Sequence, residues 1–182
     1  MIYVFLANGF EEIEALAVVD VLRRAELDVL TVGVGEDFVI GSHQIPVAAD
    51  ISEKALILDE KVEAIVLPGG MPGTLNLEKS PVVQKAIDWA VENDKLICAI
   101  CAAPSILGHK GLLDGKTATC FPGFEEELFG AQVSKEFVVK DGNIITAKGM
   151  GSALEFGLQI AEVLTNPLEV KKIRASLQIY NG

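Results

Sequence analysis

Cys101 is the residue around which chemistry could be built. It follows the apolar run Leu96–Ile100 and precedes Ala102-Ala103-Pro104, two small residues and a helix-initiating proline. A nucleophile on such a strand-to-helix turn stands exposed above a sheet. The helix N-terminus that follows favours thiolate over thiol. The ordinary alternative is a buried structural cysteine; the strand–turn–helix placement favours the reactive reading. Cys98 completes a C-x-x-C with Cys101 but falls inside the strand, so it reads as core. Cys120 reads as core or as a neighbour of the site. Three cysteines are too few for a disulfide framework, and no second pair offers a zinc site.

Two other segments could serve that thiol. In Asn8-Gly9-Phe10-Glu11-Glu12-Ile13-Glu14, Glu11 and Glu12 need no role beyond complementing a helix dipole. Glu14 lies one turn along, and a helix starting beside the elbow would aim it at Cys101. A carboxylate and a thiolate side by side repel, so the pair must share a proton. In Leu67-Pro68-Gly69-Gly70-Met71-Pro72-Gly73 the glycines either make a tight turn or present backbone N–H groups as an oxyanion hole. The segment is no phosphate loop, because G-x-x-x-x-G-K-[ST] is absent. Neither His43, in a turn, nor His109, at a helix end, has a spacing that pairs it with Cys101.

The elements that must position these groups follow from periodicity. Strands are expected at Ile2–Leu6, Leu27–Val34, Ala64–Leu67 and Leu96–Ile100, with a short one at Lys116–Cys120. Hairpins are expected at Phe38–Ile40 with Ile45–Ala48, and at Phe137–Lys140 with Asn143–Ala147 around Asp141-Gly142. Helices are expected at Glu11–Glu26, Pro81–Asn93 with Ser80 as N-cap, Ala102–Leu107, Phe124–Phe129, Ser152–Leu164 and Leu168–Leu177. Strands apolar on both faces indicate a mostly parallel central sheet covered by helices on both faces, an α/β fold. Ligands then bind beyond the carboxyl ends of the strands, where Ala7–Phe10, Pro68–Gly73 and Cys101–Pro104 emerge. Val18, Val19 and Leu22 broaden the apolar face of the first helix and make it a candidate interface.

Composition bounds the rest. The 182 residues fit one domain, 1–182, and half of them are hydrophobic. A net charge of −11 argues against binding nucleic acid or anionic membranes. No apolar run is long enough to cross a bilayer, and Met1–Leu6 has no basic region of the kind that begins a signal peptide. A reducing, cytoplasmic setting is expected.

Leu6–Glu14, Leu67–Gly70, Ala99–Pro104 and Gly149-Met150-Gly151-Ser152 resemble the DJ-one/ThiJ/PfpI superfamily, most closely its DJ-one (Parkinson-associated protein deglycase) branch. The motifs run in order from Met1 to about Leu164. The resemblance implies a flavodoxin-like three-layer sandwich, a homodimer, and no cofactor or metal. It implies that Cys101 is the reactive cysteine and Glu14 its carboxylic partner, with Gly69, Gly70 and Ala102 around the oxyanion and substrate. The activities it implies are glutathione-independent glyoxalase action on small aldehydes such as methylglyoxal, deglycase action on early glycation adducts, redox sensing through a Cys101 sulfinate, and chaperone action. Two departures stand out. A peptidase-like branch places His after the nucleophile, where this chain has Ala102. Some relatives place His before the proline that matches Pro122, where this chain has Phe121. The site then lacks that imidazole, and Phe121 and Pro122 border it instead.

Overall fold

The structure, a computed structural model, describes residues 1–179; the last three residues of the expected 1–182 domain lie outside the described residues. In chain order the elements are β1 (Ile2–Ala7), α1 (Glu12–Arg24), β2 (Val29–Val34), β3 (Phe38–Ile40), β4 (Pro46–Ala48), β5 (Ile51–Ser52), β6 (Ala64–Leu67), α2 (Gly73–Lys79), α3 (Pro81–Glu92), β7 (Leu96–Ile100), α4 (Pro104–His109), β8 (Thr117–Ala118), β9 (Gln132–Val133), β10 (Val138–Asp141), β11 (Ile144–Ala147), α5 (Ala153–Leu164) and α6 (Pro167–Ser176).

The main sheet runs β10-β11-β7-β6-β1-β2-β5, parallel throughout except for β10 on β11. The alternating pleat sorts its side chains into two cores. Ile2, Val4 and Leu6 of β1 pack with α1, α5 and α6, while Tyr3, Phe5 and Ala7 pack with α2, α3 and α4. This is the expected α/β sandwich. From β1 the chain goes to β2 on one side and later to β6 on the other. The order therefore reverses at β1/β6, where a doubly wound sheet opens its ligand crevice. β7 lies next to β6, so the three expected loops converge above adjacent strands.

Most element boundaries agree with the sequence reading, and the differences have local causes. α1 stops at Arg24 because Glu26 turns into the left-handed region at φ 57°. Phe124–Phe129 is only a single 3-10 turn, Glu125–Glu127. Helix α2, unexpected from the sequence, has no side-chain cap and begins on glycine. Ser80 Oγ accepts the Val83 N–H at 3.4 Å, capping α3 as expected. Val18, Val19 and Leu22 are buried within the chain, with Val18 and Val21 against Gly157 of α5. They cannot face a partner; the exposed apolar residues of α1 are Ile13 and Leu16. Among the described residues no helix is long and apolar enough to cross a membrane.

Candidate active site

Strand β7 is wholly buried, and Cys101 is the first residue beyond it. Its φ is 66°, in the left-handed region that costs a non-glycine residue about 1–3 kcal/mol. The conformation is held from both sides: the Cys101 N–H donates to the Ala147 carbonyl at 2.9 Å, and its carbonyl accepts the Phe121 N–H at 2.8 Å. Buried Ala102 and Ala103 lead into α4 at Pro104. The Gly70 and Ala102 N–H groups face the sulfur and favour its thiolate.

Helix α1 brings the carboxyl. Glu11 is its N-cap and accepts the Glu14 N–H at 2.8 Å. One turn of helix then points Glu14 under the sheet crest, fully buried beside Cys101. Glu14 Oε2 accepts the Gly69 N–H at 2.9 Å, and Oε1 has no hydrogen-bond partner among the described residues. A Cβ on Gly69 would lie 2.5 Å from the Cys101 Cβ and 2.6 Å from Glu14 Oε2, so only glycine lets β6 end against both. The expectation of a Gly69–Gly70 oxyanion hole is corrected here. Gly69 spends its N–H on Glu14, and the donors at the sulfur come from Gly70 and Ala102.

Both acids are harder to ionise than usual. Desolvation pushes the Glu14 carboxyl up to about 7. Burial, then the Glu14 charge, push the Cys101 thiol up to about 12. The helix N-terminus therefore does not lower the thiol as the sequence suggested: α4 is six residues long, and burial beside a carboxylate outweighs it. Titration belongs to the pair. Between these values the two acids hold one proton. Gly70 and Ala102 N–H groups favour placing it on Glu14, and the Gly69 N–H favours placing it on sulfur. Such a pair can present a thiolate beside a neutral carboxylic acid, then take a proton back. Cys98 is completely buried, and burial pushes its thiol well up; burial pushes Cys120 up to about 11.

Glu12 does more than complement a dipole. Its carboxylate accepts the His43 N–H at 2.8 Å and lies 3.0 Å from His43 Nδ1, tying the β3–β4 hairpin to α1. Adjacent acids at a helix start carried no local sign of that contact, 31 residues away. Ligating atoms of Glu11, Glu12 and His43 lie within 4.8 Å of one another. Glu12 is already engaged by the hairpin and Glu11 by the Glu14 N–H. His109, expected only to complement a helix end, has Nδ1 2.5 Å from Glu78 and Nε2 2.8 Å from Glu127.

The structure thus sets a cysteine of positive φ at the end of a buried parallel strand beside a buried carboxyl from the first helix. The family model described as DJ-1/PfpI family matches residues 1–163. The chain belongs to the DJ-1/PfpI family. It is 37% identical over 182 residues to protein dj-1beta of Drosophila melanogaster, covering 98% of this chain and 97% of that one. It is 33% identical over 159 residues to the glutathione-independent glyoxalase DJR-1.2 of Caenorhabditis elegans, covering 86% and 84%. The solved structure of oxidized Toxoplasma gondii DJ-1 superposes with a TM-score of 0.93 at 35% identity, covering 98% of each chain. The fold is thus the flavodoxin-like α/β sandwich of DJ-1 family chains.

Proposed function

We propose that this DJ-1/PfpI-family chain is a glutathione-independent glyoxalase that hydrates and rearranges small 2-oxoaldehydes such as methylglyoxal to 2-hydroxy acids. The observation that carries this reading is the buried Glu14 carboxyl standing against Cys101 at the end of β7. The thiolate adds to the aldehyde carbon, and the carbonyl electron pair moves to oxygen as an oxyanion facing the Gly70 and Ala102 N–H groups. Neutral Glu14 protonates it, giving a hemithioacetal, and becomes a carboxylate. Glu14 then removes the proton from that carbon and returns one to the adjacent carbonyl carbon through an enediol. The former aldehyde carbon is thereby oxidised to a thioester while its neighbour is reduced to an alcohol, so no external redox partner is needed. Water hydrolyses the thioester, releasing the hydroxy acid and restoring the thiol. With Phe121 where an imidazole would stand, Glu14 moves these protons alone. The glyoxalase named among the relatives supports the same chemistry.

A homodimer working in the cytoplasm belongs to this reading, with the exposed Ile13 and Leu16 of α1 as the apolar contact. The second reading is a redox sensor. Two N–H groups and a carboxylic oxygen surround only the Cys101 sulfur among the three cysteines, a setting that would hold sulfinate oxygens.

The test is methylglyoxal consumption without glutathione, with lactate detection, for wild type and Cys101→Ser. Lactate from wild type only is expected. Equal turnover by the folded variant refutes the scheme. No turnover, with peroxide adding oxygen to Cys101 ahead of Cys98 and Cys120, supports the sensor.

A further inference from the structure

Next to the backbone that holds Cys101 lies a cleft of about 330 Å³ lined by Phe121, Pro122, Phe137, Lys148, Gly149 and Met150. Its inner end is built from the residues that hold Cys101. Phe121 donates its N–H to the Cys101 carbonyl, and Ala147, which accepts the Cys101 N–H, runs directly into Lys148-Gly149-Met150. Gly149 closes the gap between cleft and catalytic pair. A Cβ there would meet the Phe121 ring at 3.0 Å and lie 3.7 Å from Glu14 Oε1, the buried oxygen without a partner. The cleft therefore abuts the residues that hold the reacting pair, with only the side-chain-free Gly149 between it and Glu14.

The chemistry of its walls is apolar. Phe121, Phe137 and Met150 remain 38%, 67% and 40% exposed, although each is a large apolar side chain. Lys148 Nζ donates to the Lys135 carbonyl at 2.5 Å and sits 5.2 Å from the centre of the Phe137 ring, holding that ring in place. The Ser152 hydroxyl at the rim donates to the Gly149 carbonyl at 2.8 Å. Among the described residues no carboxylate lines the cleft, and the polar atoms named here are satisfied internally. A methyl group, near the size of one water at ~30 Å³, leaves most of the volume unused.

We propose that this cleft is a substrate subsite that receives the carbon substituent of the 2-oxoaldehyde, and that it selects aryl and branched-alkyl glyoxals over glyoxal itself. The inference rests on the reading that Cys101 attacks the aldehyde. Phe121, standing where an imidazole would make the cleft polar, and Phe137 set the preference. A substituent half covered by such walls gains about tenfold in transition-state binding.

Two measurements test it separately from the glyoxalase reading. In turnover, the kcat/KM ratio of phenylglyoxal to glyoxal is compared between wild type and Phe137→Ser; a fall of about tenfold in the variant is expected. In alkylation, which needs the thiol and no turnover, the rate ratio of phenacyl bromide to iodoacetamide at Cys101 is read by intact mass. Wild type should exceed the same ratio for free glutathione by about tenfold, and Phe137→Ser should bring it back. Failure of turnover with every aldehyde, with the alkylation preference intact, removes the glyoxalase and keeps the subsite. A wild-type alkylation ratio equal to that of glutathione, or one unchanged by Phe137→Ser, overturns the subsite. That second result is also what a second copy of the chain covering the cleft would give.

Discussion

Replacing Glu14 by Gln should make the protein more stable at neutral and alkaline pH while stopping the reaction. Glu14 is fully buried and accepts one backbone N–H, and its Oε1 has no partner among the described residues. Its carboxyl ionises in the folded state only at about 7, against an ordinary 4.5, because burial removes the solvent that stabilises the charge. The folded state therefore binds a proton that the unfolded chain has already released. The sign follows directly: below the unfolded value both states are protonated and stability is full. As pH rises through the folded value, stability is lost. At about 1.4 kcal/mol per pH unit, the rise amounts to about 3 kcal/mol of burial cost in the ionised protein. Gln keeps an oxygen for the Gly69 N–H and carries no charge, so it escapes that loss. Urea unfolding across this pH range should show wild type falling by about 3 kcal/mol relative to Glu14→Gln, with the difference flat above the folded value. The same variant should lose lactate formation, since its amide neither takes nor returns a proton. A stability difference that does not move with pH would refute the shared-proton account of the site, and unchanged turnover would remove Glu14 from the mechanism.

The other perturbations address neighbouring parts of the structure. Gly69→Ala forces a methyl against the Cys101 Cβ and Glu14 Oε2, so it should cost about 2 kcal/mol or more in urea unfolding and slow alkylation of Cys101. His109 between Glu78 and Glu127 has its pKa raised, first by the Glu78 hydrogen bond. Its contribution, about 1 kcal/mol for a partly exposed cluster, is present below the ordinary value of 6.5 and lost as pH rises through the folded one. The stability gap to His109→Ala should close over that window, and a gap constant with pH would refute the assignment. Leu16→Glu should shift light-scattering mass from dimer to monomer; a dimer that tolerates the charge places the interface elsewhere.

What the sequence disclosed and what it hid follow one physical division. Side-chain type and period speak for burial, so two-sided strands such as β6 and β7 and the capped helix α3 are legible, and with them the turn that carries Cys101 and the helix that carries Glu14. Backbone direction is silent in a sequence: nothing in Gly69-Gly70 tells that one N–H turns to a carboxylate and the other to a sulfur. Two-residue strands such as β5 and β9 are too short to show alternation. The direction of the thiol's pKa also hinged on depth. A six-residue helix promised a low value, but a buried site beside a carboxylate sets the opposite one. That inversion is what gives the pair its use. A thiol ionised independently would need no Glu14, whereas two reluctant acids bound to one proton can open as nucleophile and acid together, and only when a substrate displaces the balance between Gly69 on one side and Gly70 and Ala102 on the other.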